Sequence, residues 1–134
     1  MYRFEKLEVW KMAVQYALAV YKLTRLFPKE ELFGLTSQLK RAVISISSNI
    51  AEGSGSATIR DFCNFLDIAI KSTLETVSQL ILAKELVYIN EKDFNKLYED
   101  SEILVKRIRT LKAYLKKPRA PRPNHQPFQE GYNV

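Results

Sequence analysis

The sequence predicts an all-α protein: an antiparallel up-down-up-down four-helix bundle followed by a disordered or extended Pro-rich C-terminal tail. Three observations carry that expectation. Glycine is scarce, and three of its four occurrences, Gly34, Gly53 and Gly55, fall at breaks between long segments. Within those segments apolar residues recur every three or four positions, which is the spacing of one helix face and not of a strand. The length of 134 residues suits one small domain, and 46% hydrophobic against 27% charged residues is an ordinary globular balance that argues against wholesale disorder.

Each element has its own signals. Leu7, Trp10, Val14, Ala17 and Tyr21 mark a first helix over residues 5–27, stopped by Pro28, because the residue before a proline is pushed out of the helical region. Leu35, Leu39, Ala42, Ile46 and Ile50 form the second stripe, with Gly53 expected as its left-handed cap. The third helix opens after Ser54-Gly55-Ser56, where Thr58 and Asp61 have capping spacing, and runs to about Tyr88. It would span roughly 45 Å at 1.5 Å per residue. Asn90 and Asp93 repeat the capping arrangement. Phe94, Leu97, Ser101, Leu104, Ile108, Leu111 and Leu115 then form a heptad-like seam with one polar break. Short connections make antiparallel neighbours the simplest packing. The bundle is therefore assigned to residues 1–117. Residues 118–134 carry Pro118, Pro121, Pro123 and Pro127, which oppose a helix and favour an extended, mobile tail.

Composition excludes several function classes. A single cysteine, Cys63, and a single histidine, His125, are too few for a disulfide scaffold, a Cys/His zinc site or a His-centred triad. No enzyme activity, cofactor or metal is expected. Cys63 sits among Phe62, Phe65 and Leu66 as a structural thiol, and His125 has no second ligand nearby. The first ten residues lack the apolar core of a secretory signal, and charges interrupt every apolar run before it could span a bilayer. A cytoplasmic protein with no membrane partner is expected.

On a helical wheel, Phe62, Cys63, Leu66, Ala69, Ile70, Leu74, Val77, Leu80 and Ile81 fall on one broad face of the third helix. Phe65, Ile68, Leu82, Ala83 and Leu86 form a second stripe, broken by Ser72, Glu75 and Gln79. A bundle helix needs one apolar face. The surplus points to self-association, with Phe65, Ile68, Leu82 and Leu86 as the candidate interface; a broad intrachain core is the alternative.

The formal charge is +6, and it is uneven. The central segments nearly cancel, whereas the excess divides between the first helix and the end of the fourth. After Glu102 no acid appears until Glu130, while Lys106, Arg107, Arg109, Lys112, Lys116, Lys117, Arg119 and Arg122 follow one another. Basic residues near a helix C-terminus complement its dipole, but that effect fades within the last turn. A run of about three turns is better explained as a surface for the phosphates of RNA or DNA, where each contact releases counterions. Solvation with dipole matching and an acidic protein partner remain the alternatives. No zinc-finger, basic-zipper or RNP-type motif is present, so strong sequence preference is not expected. Tyr114 lies beside Lys112 and Lys116, placed either to stack on a base or to snorkel at the surface.

Ser45, Ser47, Ser48, Asn49 and Glu52 form the densest polar cluster within a helix. No G-x-S-x-G turn surrounds the serines and no histidine serves as base, so packing explains them better than catalysis. Glu52 and Arg41 are expected to join ion pairs at the bundle end or a subunit contact.

The run Phe27-Pro28-Lys29-Glu30-Glu31-Leu32-Phe33-Gly34-Leu35-Thr36-Ser37-Gln38-Leu39-Lys40-Arg41-Ala42, followed by Ser45-Ile46-Ser47-Ser48-Asn49-Ile50-Ala51-Glu52-Gly53-Ser54-Gly55, closely resembles the bacterial four-helix-bundle proteins encoded in intervening sequences of 23S ribosomal RNA genes. Phe65-Leu66-Asp67-Ile68-Ala69 and Ala83-Lys84-Glu85-Leu86-Val87-Tyr88-Ile89 look like the same family's third helix, and the likeness extends over residues 2–117. That family is similar to the accessory variability determinant of diversity-generating retroelements, a basic pentameric bundle that binds nucleic acid and a reverse transcriptase. The resemblance therefore implies a homo-oligomer, by analogy a homopentamer, that binds RNA or DNA through its basic surface. The alternative is an interaction scaffold for a protein such as a reverse transcriptase or a ribosomal component, with nucleic acid incidental. Two departures stand out: Ser56 replaces a frequent basic residue, which weakens any phosphate role for the Gly53 to Gly55 loop, and Lys71 replaces a frequent glycine.

Overall fold

The computed structural model describes residues 1–118. The expected tail, with Arg119, Arg122 and His125, lies outside the described residues apart from Pro118. Four helices, α1 (Glu8–Thr24), α2 (Leu35–Ser54), α3 (Ile59–Glu85) and α4 (Glu91–Lys116), account for most of the described chain, with short 3-10 turns at Arg3–Lys6 and Lys29–Glu31. Each helix packs on its chain neighbours and α4 closes on α1, with no close backbone approach across either diagonal. The pairings are antiparallel. Along α2 and α3, Gln38 meets Gln79, Ser45 meets Ser72 and Gly53 meets Phe65. Along α3 and α4, Asp67 meets Lys112 and the Lys84 ammonium lies 4.7 Å from the Phe94 ring centre. The all-α bundle expected from the sequence is the fold observed.

The bundle has two distinct ends. At the loop end the Tyr88 hydroxyl donates to Glu31 at 3.0 Å and its ring lies 5.4 Å from Phe27, tying the α3–α4 connection to the α1–α2 connection. At the opposite end, where the chain begins and α4 finishes, Arg3 donates to the Ser54 carbonyl at 3.0 Å. We call this the exit end.

Caps and seams follow the sequence closely in α4. The Thr58 hydroxyl accepts from the Asp61 amide and the Asn90 side chain accepts from the Asp93 amide, each relieving an orphan donor at a helix start. All seven expected seam residues of α4, Phe94 to Leu115, are buried, including Ser101.

Other expectations need correction. The helix expected over residues 5–27 begins as a 3-10 turn and is α-helical only from Glu8 to Thr24, because the chain tightens into i to i+3 bonds before Pro28. Its buried face is Val9, Ala13, Tyr16, Val20 and Leu23, one residue away from the stripe expected; Trp10, Val14, Ala17 and Tyr21 lie at its margin. Trp10 is covered by Phe4, with ring centres 5.0 Å apart. The third helix stops at Glu85, short of Tyr88. Its terminus is closed by Tyr88 N–H to Ala83 C=O at 2.9 Å and by Val87 in the left-handed region, φ 63°, a conformation that strains a β-branched residue.

Gly53 is not a left-handed cap. It lies inside α2, and a Cβ there would come within 2.7 Å of the Phe65 Cβ and 3.0 Å of the Phe62 ring, so the residue is glycine because α3 passes too close for a side chain. On α3 the buried face also holds Ser72, Thr73, Thr76 and Ala83. Leu74 and Ile81, expected in the core, are 54% and 42% exposed, whereas Ala83 of the expected outer stripe is fully buried.

The Gly53 position yields a prediction. Replacing a helix-interior glycine by alanine ordinarily gains about 1 kcal/mol, but overpacking against a fixed neighbour costs about 1–3 kcal/mol. Gly53→Ala should therefore lower the urea midpoint; a stabilised variant would show that α2 and α3 are not in tight contact there.

Candidate nucleic-acid interface

The expected basic run spans the last three turns of α4, and helical geometry distributes it around the axis. Lys106, Arg107, Arg109, Lys116 and Lys117 are exposed. Lys112 is not part of the open surface. It reaches across to Asp67 of α3 to form an ion pair and its side chain is only 20% exposed, so its charge is already matched. That pair divides the run in two.

The first part lines a groove between α3 and α4 of about 530 Å³. Lys106 and Arg109 stand at its rim with Glu102, while Leu74, Val77 and Val105 supply an apolar floor. The second part is at the exit end, where Lys116 and Lys117 share a smaller hollow with Arg60 from the first turn of α3. Arg60 was not among the expected site residues, since it lies far outside the basic run in sequence. The antiparallel register that puts Asp67 opposite Lys112 is what brings it there. Arg3 and Lys6 add positive charge near the same end, with Arg3 engaged by the Ser54 carbonyl. Tyr114 is 36% exposed beside this region.

The polar cluster of α2 is structural in its contacts. Asn49 donates to the Ser45 carbonyl at 2.7 Å and to its hydroxyl at 2.9 Å, and the Ser72 hydroxyl of α3 donates to Ser45 at 2.8 Å. Within the single chain Arg41 and Glu52 form no ion pair: both side chains are exposed, without an ion-pair partner among the described residues, which leaves the subunit contact of the two places expected. Among the described residues there is also no group of three or more His, Cys, Asp or Glu side chains able to hold a metal ion. Among the described residues no helix is long and apolar enough to cross a membrane.

Of the four residues expected at an oligomer interface, Ile68, Leu82 and Leu86 are exposed on the outer side of α3. Phe65 is not: it is partly buried against Gly53 of α2. Ile44 of α2 and Leu74 and Ile81 of α3 are also exposed, with Leu74 on the side of α3 that borders the groove with α4. A separate apolar group, Leu26, Leu32, Phe33 and Val87, caps the loop end, with Phe33 93% exposed.

Cys63 is buried, and its thiol is pushed above the usual cysteine range by burial, an effect that Lys116 and Lys112 partly oppose and Asp67 reinforces. It should stay protonated at neutral pH, so its alkylation by iodoacetamide at pH 8 should be at least about tenfold slower than that of an unhindered thiol. Equal rates would show an open, ionised site.

Comparison with known proteins places these features in a family context. The family model described as "23S rRNA-intervening sequence protein" matches residues 5–110. A crystal structure from Bacteroides thetaiotaomicron, described as a protein with unknown function from the S23 ribosomal protein family, is similar with a TM-score of 0.70 and 26% identity, over 78% of this chain and 97% of that one. No curated protein matches.

Proposed function

This chain belongs to the 23S rRNA-intervening sequence protein family, and we propose that it is a non-enzymatic, homo-oligomeric bundle that binds RNA or DNA through the basic surface of α4 without strong sequence preference. The observation that carries the reading is the unmatched charge at the end of α4. Lys106, Arg107, Arg109, Lys116 and Lys117 are all exposed, and none has an ion-pair partner among the described residues. Dipole matching needs only the last turn, so it leaves Lys106, Arg107 and Arg109 unexplained. The apolar strip of Ile68, Leu82 and Leu86 supports assembly, with five copies as the resemblance implies. Assembly would multiply weak phosphate contacts through avidity. The apolar cap at the loop end supports the second reading, a scaffold whose principal partner is a protein, such as a reverse transcriptase or a ribosomal component.

Salt dependence tests the first reading. Affinity for a generic single-stranded RNA should fall steeply with salt, and Lys106→Ala, Arg107→Ala and Arg109→Ala together should reduce the slope of log K against log salt by about 2, at roughly 0.7 per lost phosphate contact. An unchanged slope would remove α4 from the interface. Under the scaffold reading, a pull-down recovers one stoichiometric protein that survives nuclease treatment.

Assembly is tested separately. Ile68→Glu or Leu82→Glu should shift the light-scattering mass toward the monomer, because an ionised carboxylate is costly to bury without a partner. A wild-type chain already monomeric at micromolar concentration would count against the oligomer.

A further inference from the structure

The hollow at the exit end, about 400 Å³, lies between the first two turns of α3 and the last turn of α4. Its size falls within the range of small-ligand sites. Its lining includes three exposed cations, Arg60, Lys116 and Lys117, that have no ion-pair partner among the described residues. Among the described residues Asp67 is the single acid in the lining, and Lys112 already pairs with it. The hollow therefore holds an uncompensated positive charge in a concave wall, which concentrates the field. The start of α3 contributes the same sign, but Thr58 already caps it, so the side chains carry the site.

We propose that this hollow is a phosphate-binding site that takes one phosphorylated nucleotide of a nucleic-acid strand. Arg60 suits the fork-like contact of a guanidinium with two phosphate oxygens, and Lys116 and Lys117 act as point charges beside it. Asn64 in the same wall offers both a donor and an acceptor to the sugar or base edge. The inference rests on the nucleic-acid reading above and adds to it a ligand from α3 that the α4 run does not contain.

Two probes separate this site from that reading: inorganic pyrophosphate measured by calorimetry, and a short 5′-phosphorylated RNA measured by fluorescence anisotropy. Arg60→Gln combined with Lys117→Gln should weaken pyrophosphate binding about tenfold, consistent with loss of charged hydrogen bonds. It should also lower the RNA salt slope by about 1.4, for two contacts at roughly 0.7 each. The equal charge loss in Arg25→Gln with Lys29→Gln, at the loop end, should change neither. Circular dichroism and the thermal midpoint confirm that each variant is folded, and Arg60→Lys should recover part of the binding. If the wild type does not bind pyrophosphate, or the exit-end variant binds it equally well, the hollow is not a phosphate site. Wild-type RNA binding with an undiminished slope in that variant leaves α4 as the interface and overturns the hollow's part in it. Arg60-dependent pyrophosphate binding without RNA binding overturns the nucleic-acid role and assigns the hollow to a free phosphate ligand.

Discussion

Close approach between α2 and α3 is the constraint on which the rest of the bundle depends. Gly53 offers no side chain where Phe65 and Phe62 cross it, and Ser45 and Ser72 touch through a hydroxyl pair further along. Small residues continue the contact face of α3 through Ala69, Thr73, Thr76 and Ala83. Polar atoms are ordinarily expensive to bury, but Thr73 and Thr76 donate to carbonyls one turn back, at 2.8 Å each, and so remain satisfied. With its small residues committed to the core face, α3 turns Ile68, Leu74, Ile81 and Leu82 outward. The exposed apolar surface is therefore a consequence of how tightly this pair packs.

The same pairing gives the molecule its polarity. Antiparallel neighbours place the α1–α2 and α3–α4 connections at one end, where Tyr88 joins them through Glu31 and Phe27 and where Leu26, Leu32, Phe33 and Val87 remain exposed. The other end gathers the chain start, the first turn of α3 and the last turn of α4, with their basic side chains. A net charge of +6 spread evenly would act mainly on solubility. Where Arg60, Lys116 and Lys117 meet at the exit end, with Asp67 already matched by Lys112, part of it is gathered into a local cluster that favours an anion.

How much of this was legible in the sequence varied by helix, for physical reasons. In α4 only one stripe is apolar, so the seam could be read residue by residue. In α1 two apolar stripes lie one position apart, and the pattern alone does not say which faces inward; contacts such as Phe4 on Trp10 decide it. On the α3 wheel Ser72, Thr73 and Thr76 look like surface residues until their hydrogen bonds are known, which shifts the apparent core face toward Leu74 and Ile81. Gly53 and Arg60 depended on partners from another helix. A helical glycine near a segment's end reads equally well as a cap, and an arginine outside a charge run draws no attention until the helix register is set. That register can be estimated from sequence once α3 and α4 are taken as an antiparallel hairpin, and it carries Arg60 toward Lys117.

Assembly and anion binding share one helix. Ile68, on the proposed assembly face, follows Arg60 by eight residues on α3, a rise of about 12 Å. Any closed symmetric ring that uses the Ile68 strip must repeat the Arg60 hollow at a fixed spacing around its axis, since both are rigidly borne by the same element. A single such hollow, open to solvent and screened over roughly 8–10 Å at ordinary salt, holds a phosphate only weakly. In the proposed assembly several of them on one rigid particle would engage separate phosphates of one strand at a high effective concentration, provided the strand can span the interval. In that assembly the apolar strip would contribute to nucleic-acid affinity without touching nucleic acid, and contacts made mainly to phosphates would carry little sequence preference.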